Sequence, residues 1–439
     1  MAEVRKPISP KVEFEVINNN MFNSSPLLGV TFIAAVTTKG TPNDPSTIIK
    51  TPGKFKELYG EEIVPDGSIS NIEIALKMGS TIRVSKVAHT GETGQEATTS
   101  DAWIAAVNAF AEYDEAYQMI CSGINQWFKG TAKSTDLERV HIAASTRAKT
   151  IQDLVYYIEV PKYKVTEDGN STDPMDDEGM KTWTSALVEK LTNSPYIAYF
   201  AGGWKYYDTN GDLQNCDTLG TVIGLGDASA SNYGPWYSFA GQNRGLVRDA
   251  RGIVSPNYGA DANYEKLNEI AENYINISVI KDTRNLGKLP MLWHNFTSSA
   301  DGNSFMFLGV VRCVLYLKKM LKPIMDSYLE EPNTFSTWNT MYYDVKPILN
   351  DMVTKNAITE YTWIGDQDAT NYDELNVNNE ADVRLGKYKA ELHFKEVVAM
   401  QEIIISLVID KSSGTTSTEV QTASLKSVSP KESEVEETE

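Results

Sequence analysis

The sequence predicts a chain of the α+β class with a mixed α/β body, and three observations carry that reading. Apolar or period-two runs, the mark of strands, alternate with 3.6-residue patterns over residues 30–90. From about residue 236 onward helical patterns dominate, and the body closes on two further strand patterns. One strand pattern, residues 11–17, stands apart from everything that follows it.

In that first run Val12, Phe14 and Val16 alternate with Lys11, Glu13 and Glu15, so one face seeks burial and the other water. Asn18, Asn19, Asn20 and the stretch to Pro26 then break it. A lone strand cannot bury its own apolar face, so it docks either on its own body or on another chain. Residues 30–36 read as a buried strand and Ile48 with Ile49 as a short one. Residues 51–60 read as a helix, with Pro52 near its start and Gly60 at its end. A helix over 70–78 leads into a strand over 81–87.

Residues 95–235 have a different texture, with a helix around Trp103, Val107 and Phe110, tyrosine-rich strands such as 155–160, and an acidic loop at 166–178. They are expected to form an inserted or second domain, with a helix over 183–191. Beyond it, Asp261 is expected to cap a helix carrying Tyr264, Leu267, Ile270, Tyr274 and Ile277. Val310, Val314, Leu317, Leu321, Ile324 and Tyr328 mark a longer helix, which Pro323 should kink near Lys319. Another spans 336–354, and strands follow at 390–398 and 402–410, where Ile403, Ile405, Leu407 and Ile409 share a face. Residues 411–439 lack aromatics and are rich in Ser, Thr and Glu, so they are expected to stay disordered unless a partner orders them.

Charge and composition narrow the function. The 439 residues carry 40 Lys and Arg against 59 Asp and Glu, a net charge of −19, which opposes binding to nucleic acid or anionic lipid. No apolar run is long enough for a membrane-spanning helix, and the first ten residues hold no apolar leader segment. Cys121, Cys216 and Cys313 lie far apart, which points to a reducing compartment and to neither disulfides nor a zinc site.

Chemical motifs are weak throughout. His89, His141, His294 and His393 are scattered without metal-ligand spacing. Gly224-Leu225-Gly226 after the strand-like Thr221-Val222-Ile223 lacks the third glycine of a dinucleotide fingerprint. Residues 208–212 open like a calcium loop, but Leu219 stands where its final glutamate belongs, so a plain turn is expected. No catalytic, cofactor or metal site is assigned. Lys318, Lys319 and Lys322 form a basic stripe in an acidic chain, read either as a solvated helix face or as a docking strip for an acidic partner.

Several segments in order resemble the contractile tail sheath family of phages, tailocins and related injection systems. Residues 29–40, ending Thr38-Lys39-Gly40, and 51–60, with Phe55, Tyr59 and Gly60, are similar to that family's opening strand, "KG" loop and following helix. Residues 74–87 resemble its helix, glycine turn and "VxRV" strand. Residues 234–245, holding Pro235, Ala240, Gly241, Arg244 and Gly245, resemble its "P…AG…RG" segment. Val311-Arg312 with Glu331-Pro332-Asn333 resembles "VRR…EPN", and residues 386–392 with 403–409 resemble its closing hairpin. The family's N-terminal "PGVYVEE" is only echoed by residues 10–16, and the acidic extension after Asp410 falls outside the pattern.

The resemblance implies a sheath-type core built from N- and C-terminal parts, an inserted domain and extended terminal arms. The expected layout is an arm at 1–25, core at 26–94, an outward-facing insertion at 95–235, a tube-facing core part at 236–410 and an acidic tail at 411–439. It implies a structural subunit, not an enzyme, without cofactors, that forms stacked hexameric rings around an inner tube and contracts to drive that tube through a target envelope. Implied partners are further copies of the chain, the inner tail tube protein, and baseplate and tail terminator proteins, with no nucleic acid and no membrane insertion. The implied location is a virion tail assembled in the host bacterial cytoplasm. Val12, Phe14, Val16, Ile403, Ile405 and Leu407 would carry strand exchange between subunits, and Lys318, Lys319 and Lys322 would face the tube. The alternative, prompted by 22 Tyr and 8 Trp, is a carbohydrate-binding or glycan-processing protein.

Overall fold

The computed structural model describes residues 30–91, 97–130, 133–208, 210–254, 264–283, 286–299, 304–365, 378, 383–384, 386 and 388–400. Val12, Phe14, Val16, Ile403, Ile405 and Leu407 lie outside these residues, as do the expected cap at Asp261 and the strand at 402–410.

The first elements fall where periodicity places them: β1 (Val30–Ala35), β2 (Ile48–Ile49), α1 (Pro52–Tyr59), α2 (Asn71–Lys77) and β3 (Thr81–Lys86). Thr51 and Ser70 accept from the backbone N–H groups of Lys54 and Glu73 and so start the two helices. The chain continues through α3 (Ser100–Asn108), β4 (Ala116–Cys121), α4 (Ile124–Trp127), α5 (Ser134–Ile151), β5 (Val155–Glu159), α6 (Asp177–Leu191) and β6 (Ile197–Ala201). Then come β7 (Trp204–Tyr207), β8 (Leu213–Cys216), α7 (Thr218–Asn232), α8 (Gly241–Arg244), β9 (Gly252–Ile253), α9 (Tyr264–Glu272), β10 (Ile275–Thr283) and β11 (Gly287–Leu292). The last elements are α10 (Leu308–Asp326), α11 (Phe335–Thr354), β12 (Ile358–Ile364) and β13 (Glu391–Glu396).

One eight-stranded sheet organises the body, in the order β11-β10-β6-β5-β4-β1-β3-β2. Its six inner strands run parallel, while β2 and β11 join antiparallel at the edges. From β1 the chain winds one way to β3, then back across to β4, β5, β6 and β10. Right-handed crossovers in the two directions place α2 on one face and α3, α5 and α6 on the other. The packing agrees: α7 lies against α2, while α3 and α6 lie against α5. Helices on both faces explain why every residue of β1, β4, β5 and β6 is buried. A three-stranded sheet, β8-β7-β9, extends from β6 through Gly202 and Gly203, both at positive φ.

Three expectations are corrected. Residues 95–235 are no separate insertion, because β4, β5 and β6 occupy the centre of the main sheet. Their distinct texture comes from aromatic core residues, Tyr156, Tyr157 and Tyr199 among them, beside one acidic surface loop. Tyr274 and Ile277 do not belong to a helix: Tyr274 turns at a φ of 62°, and the β-branched run from Ile275 enters β10. Thr221 to Ile223 lie inside α7, not in a strand, and are buried on a helix covered nearly all round.

Gly220 lets α7 meet α2. A Cβ there would stand 2.5 Å from the Asn71 carbonyl oxygen. Gly220→Ala is expected to cost about 1–3 kcal/mol through overpacking, read as a lower urea midpoint with an unchanged slope.

The C-terminal elements form a second layer of core. Cys313 and Leu317 of α10, Val345, Leu349 and Met352 of α11, and Trp363 of β12 pack together. Helix α10 runs on through Pro323, which sits in its last turn.

Candidate assembly surface and a filled crevice

A doubly wound sheet opens a crevice where the winding reverses, at the carboxyl ends of its central strands, and ligands of such sheets bind there. Here that point lies beyond β1 and β4. It is filled by the chain's own polar side chains. Lys162 Nζ lies 2.5 Å from Asp217 Oδ1 and 2.9 Å from Asp66 Oδ2, with Ser68 Oγ at 2.5 Å. Gln126 Nε2 donates to the same Asp217 oxygen at 2.9 Å. The first N–H groups of α7 are already engaged: Thr218 N donates to Glu159 Oε1 at 2.5 Å, and Gly220 N to Asn71 Oδ1 at 2.7 Å. Asn71 Nδ2 reaches on to Ser122 Oγ at 3.0 Å.

The electrostatics follow from burial. Burial pushes Glu159 and Glu62 above the usual carboxylate range, and it raises Asp217 despite the charge of Lys162. At Asp66 burial is outweighed by the charge and hydrogen bond of Lys162, so that carboxyl sits low. Lys162 loses by burial but gains more from Asp217 and Asp66, so it stays protonated. The cluster is an internal ion pair network in which the helix start and the strand ends satisfy one another.

Outside that network another buried carboxyl, Asp227, accepts from Gln118 Nε2 at 3.0 Å in the middle of α7. Burial raises it to about 7, against opposing contributions that include the charge of Arg312. The folded chain therefore holds a proton there that the unfolded chain gives up above about pH 4. Stability from this group falls as pH rises from about 4 to 7, by a few kcal/mol at most. Asp227→Asn is expected to flatten that slope, measured as urea midpoints across pH.

Other reactive groups are held inert. Burial pushes the thiols of Cys121 and Cys313 up to about 12, and His141 and His294 down to about 3 and about 4. Asp208 folds its own turn, Oδ1 accepting from Asn210 N at 2.8 Å and Asp212 N at 2.9 Å. Many of the large aromatics belong to the core, Trp103, Trp204, Tyr156, Tyr157 and Tyr199 among them.

The β12–β13 ribbon is the open surface. Its pairing is antiparallel, with Trp363 opposite Leu392 and Tyr361 opposite Phe394 on the face turned to α11. Tyr361 Oη donates to Asn350 Oδ1 at 2.8 Å and anchors that face. On the other face Thr362 stands opposite His393 and Glu360 opposite Lys395, wet and charged. Among the described residues no third strand joins this ribbon, so each strand leaves one row of backbone N–H and C=O groups unladdered.

The lysine stripe is engaged within the chain. Lys318 Nζ donates to the carbonyls of Ile151 and Gln152, both at 3.0 Å, and so closes the C-terminal end of α5. Lys322 pairs with Asp114 Oδ2 at 3.0 Å, and Lys319 donates to the Asp114 carbonyl. With Arg147 and Asp153 they line a mixed-charge groove of about 400 Å3.

No family model matches this sequence, and no curated protein matches it either. Solved structures do. A chain of the anti-feeding prophage (AFP) baseplate aligns over 93% of this chain and 98% of its own, at 12% identity and a TM-score of 0.61. The AFP helical sheath in its contracted state aligns over 93% and 100%, at 14% identity and a TM-score of 0.59. The chain has the sheath fold. The sheath of the extracellular contractile injection system PVC, also contracted, aligns over 93% and 99%, at 13% identity and a TM-score of 0.59. The likeness therefore spans the main sheet and the C-terminal layer alike, although few residues are shared.

The buried network was invisible in the sequence because Glu62, Asp66, Glu159, Lys162 and Asp217 come from separate segments. Its one local signal is Glu159 ending an otherwise apolar strand. Trp363 and Tyr361 were missed because the alternation of β12 is short and interrupted by a bulge.

Proposed function

We propose that this chain is the structural subunit of a contractile tail sheath, stacking as hexameric rings around an inner tube and driving that tube through a target envelope when it contracts. The observation that carries the reading is the two-stranded ribbon, to which no third strand is joined among the described residues, on a body with the sheath fold. Val12, Phe14 and Val16 from one neighbour, and Ile403, Ile405 and Leu407 from another, are the strands that complete it. Strand addition supplies main-chain hydrogen bonds, and the alternating side chains fix the register. At about 0.5–1.5 kcal/mol per bond, five residues hold only a few kcal/mol, and repetition over the lattice makes the mesh durable.

The work done is mechanical. Rigid bodies rotate and slide while the arms keep them tethered, and the extended tube relaxes from a kinetically trapped state. Such a subunit needs no reaction centre, in keeping with a crevice closed by Lys162, Asp217 and Asn71. The partners are further copies, an inner tube protein, and baseplate and terminator proteins, at a tail-associated location. Lys318, Lys319 and Lys322 remain the tube-facing strip of this proposal, with their charge partly spent on Asp114. Negative-stain microscopy of the expressed chain tests the reading: striated tubes or discs support it, and monodisperse particles at every concentration and salt tried overturn it.

A further inference from the structure

We propose that the groove between α5 and α10 is a docking site for the acidic end of the tail, residues 432–439, carried by a neighbouring copy of the chain. The inference rests on the sheath reading for the presence of that neighbour, and on the groove and the tail sequence for the contact itself.

The groove holds cations that its own carboxylates do not pair. Arg147, Lys318, Lys319 and Lys322 line it together with Asp114, Glu115, Asp153 and Asp326. Glu115 is already taken, accepting from Arg83 Nε at 2.6 Å. Three of the four cations are held by backbone carbonyls: Lys318 by Ile151 and Gln152, Lys319 by Asp114, and Arg147 by Phe110 at 2.8 Å. A carbonyl satisfies the donor and leaves the charge in place. Of the four, Lys322 alone has a carboxylate partner among the described residues, Asp114, and both side chains of that pair are more than half exposed. Four cations therefore stand against Asp114, Asp153 and Asp326, a local positive excess in a chain of net charge −19.

The tail supplies the complement. Residues 432–439 hold five glutamates and no Lys or Arg, and with Val435 as their one apolar residue they have nothing to bury for themselves. Their spacing suits the helix. Lys318 and Lys322 stand one turn apart, about 6 Å along α10. In an extended segment every second residue, as Glu432, Glu434 and Glu436 are, advances about 6.7 Å on the same side, so successive glutamates meet successive lysines. Reach is no obstacle. About thirty residues separate Met400 from Glu432, and a linker of that length spans about 30 Å as a coil and about 100 Å extended. In the proposed sheath Ile403, Ile405 and Leu407 already cross to a neighbour, so the tail that follows them starts out there. Where the lysine strip also faces the tube, tube and tail compete for it.

The test uses the full chain, made in equal parts with natural and with heavy nitrogen, co-assembled and treated with a water-soluble carbodiimide. That reagent joins an amine to a carboxylate in contact with it, with loss of water and no spacer. The expected product is a mixed-isotope link from Lys318 or Lys322 to a glutamate of 432–439, read by mass spectrometry of the digest. Its yield is expected to exceed links to Lys54 and Lys266, comparably exposed lysines elsewhere on the surface, by at least about tenfold. Asp114→Asn removes the competing carboxylate and is expected to raise the tail link at Lys322 by up to about fivefold. Links confined to single copies, or spread evenly over Lys54, Lys266 and the strip, overturn the proposal. A micrograph of the same sample separates the failures: tubes without the link overturn the docking alone, and the absence of both overturns the sheath reading as well.

Discussion

A chain lacking residues 1–25 is expected to fold and to form no tubes. The core of the main sheet begins at Val30, which is buried, and every described strand and helix lies beyond the deletion. Folding therefore loses little, and the melting temperature should stay within about 1 °C of the full chain, a shift of no more than about 1 kcal/mol for a chain of this size. On the proposed reading, assembly loses the segment carrying Val12, Phe14 and Val16. One arm holds only a few kcal/mol, but every subunit in the lattice loses it together, and multivalent association falls away by orders of magnitude. Circular dichroism melting reads the fold and negative-stain microscopy reads the polymer. Tubes assembled from the truncated chain would show that residues 11–17 are not the tether.

The largest effect on stability is expected from Lys162→Met. Lys162 is the cation that Asp66 and Asp217 share, at 2.9 and 2.5 Å. Methionine nearly matches its volume, so the change isolates the charge. Removing one partner of a buried ion pair leaves carboxylates without compensation and costs about 3–5 kcal/mol near neutral pH. The sign of the pH dependence is fixed by the same groups. Lys162 holds Asp66 below its unfolded value, a stabilisation present at neutral pH and lost as pH falls through the carboxylate range. In the variant Asp66 and Asp217 rise and take up protons early. The gap between wild type and variant should therefore narrow as pH falls from 7 toward 4. Urea unfolding at several pH values measures it, and a gap independent of pH would mean that the loss is one of packing alone.

The fold was legible wherever side chains answer to local physics. Thr51 and Ser70 mark helix starts, and Val30 to Val36 is apolar because helices cover both faces of the sheet. The same rule misled where a pattern has two readings. Tyr274 and Ile277 continue a helical stripe in sequence, yet the β-branched run at Ile275, Ile277 and Val279 belongs to a strand whose partner, β6, lies more than seventy residues back. The tyrosines of 155–160 read as part of an inserted or second domain, whereas burial in the sheet centre is what they serve. The candidate surface divides the same way. The alternation in 391–396 could be read directly, but its register against 358–364 could not, because a bulge separates Ile358 from Glu360. The network around Lys162 depends on tertiary placement alone.

The central claim is that terminal strands cross from one copy to the ribbon of another, and disulfide trapping between separately labelled copies tests it most directly. Cys121, Cys216 and Cys313 are all buried, so introduced thiols report alone. One population carries a cysteine at Lys11, Glu13 or Glu15, on the polar face of the arm pattern, and the other carries His393→Cys on the exposed face of β13. After co-assembly and mild oxidation, the account predicts covalent pairs containing one copy of each, formed only in assembled material and at one arm position far more than at the others. Cross-links confined to single chains of a double variant, with none between copies, would contradict it.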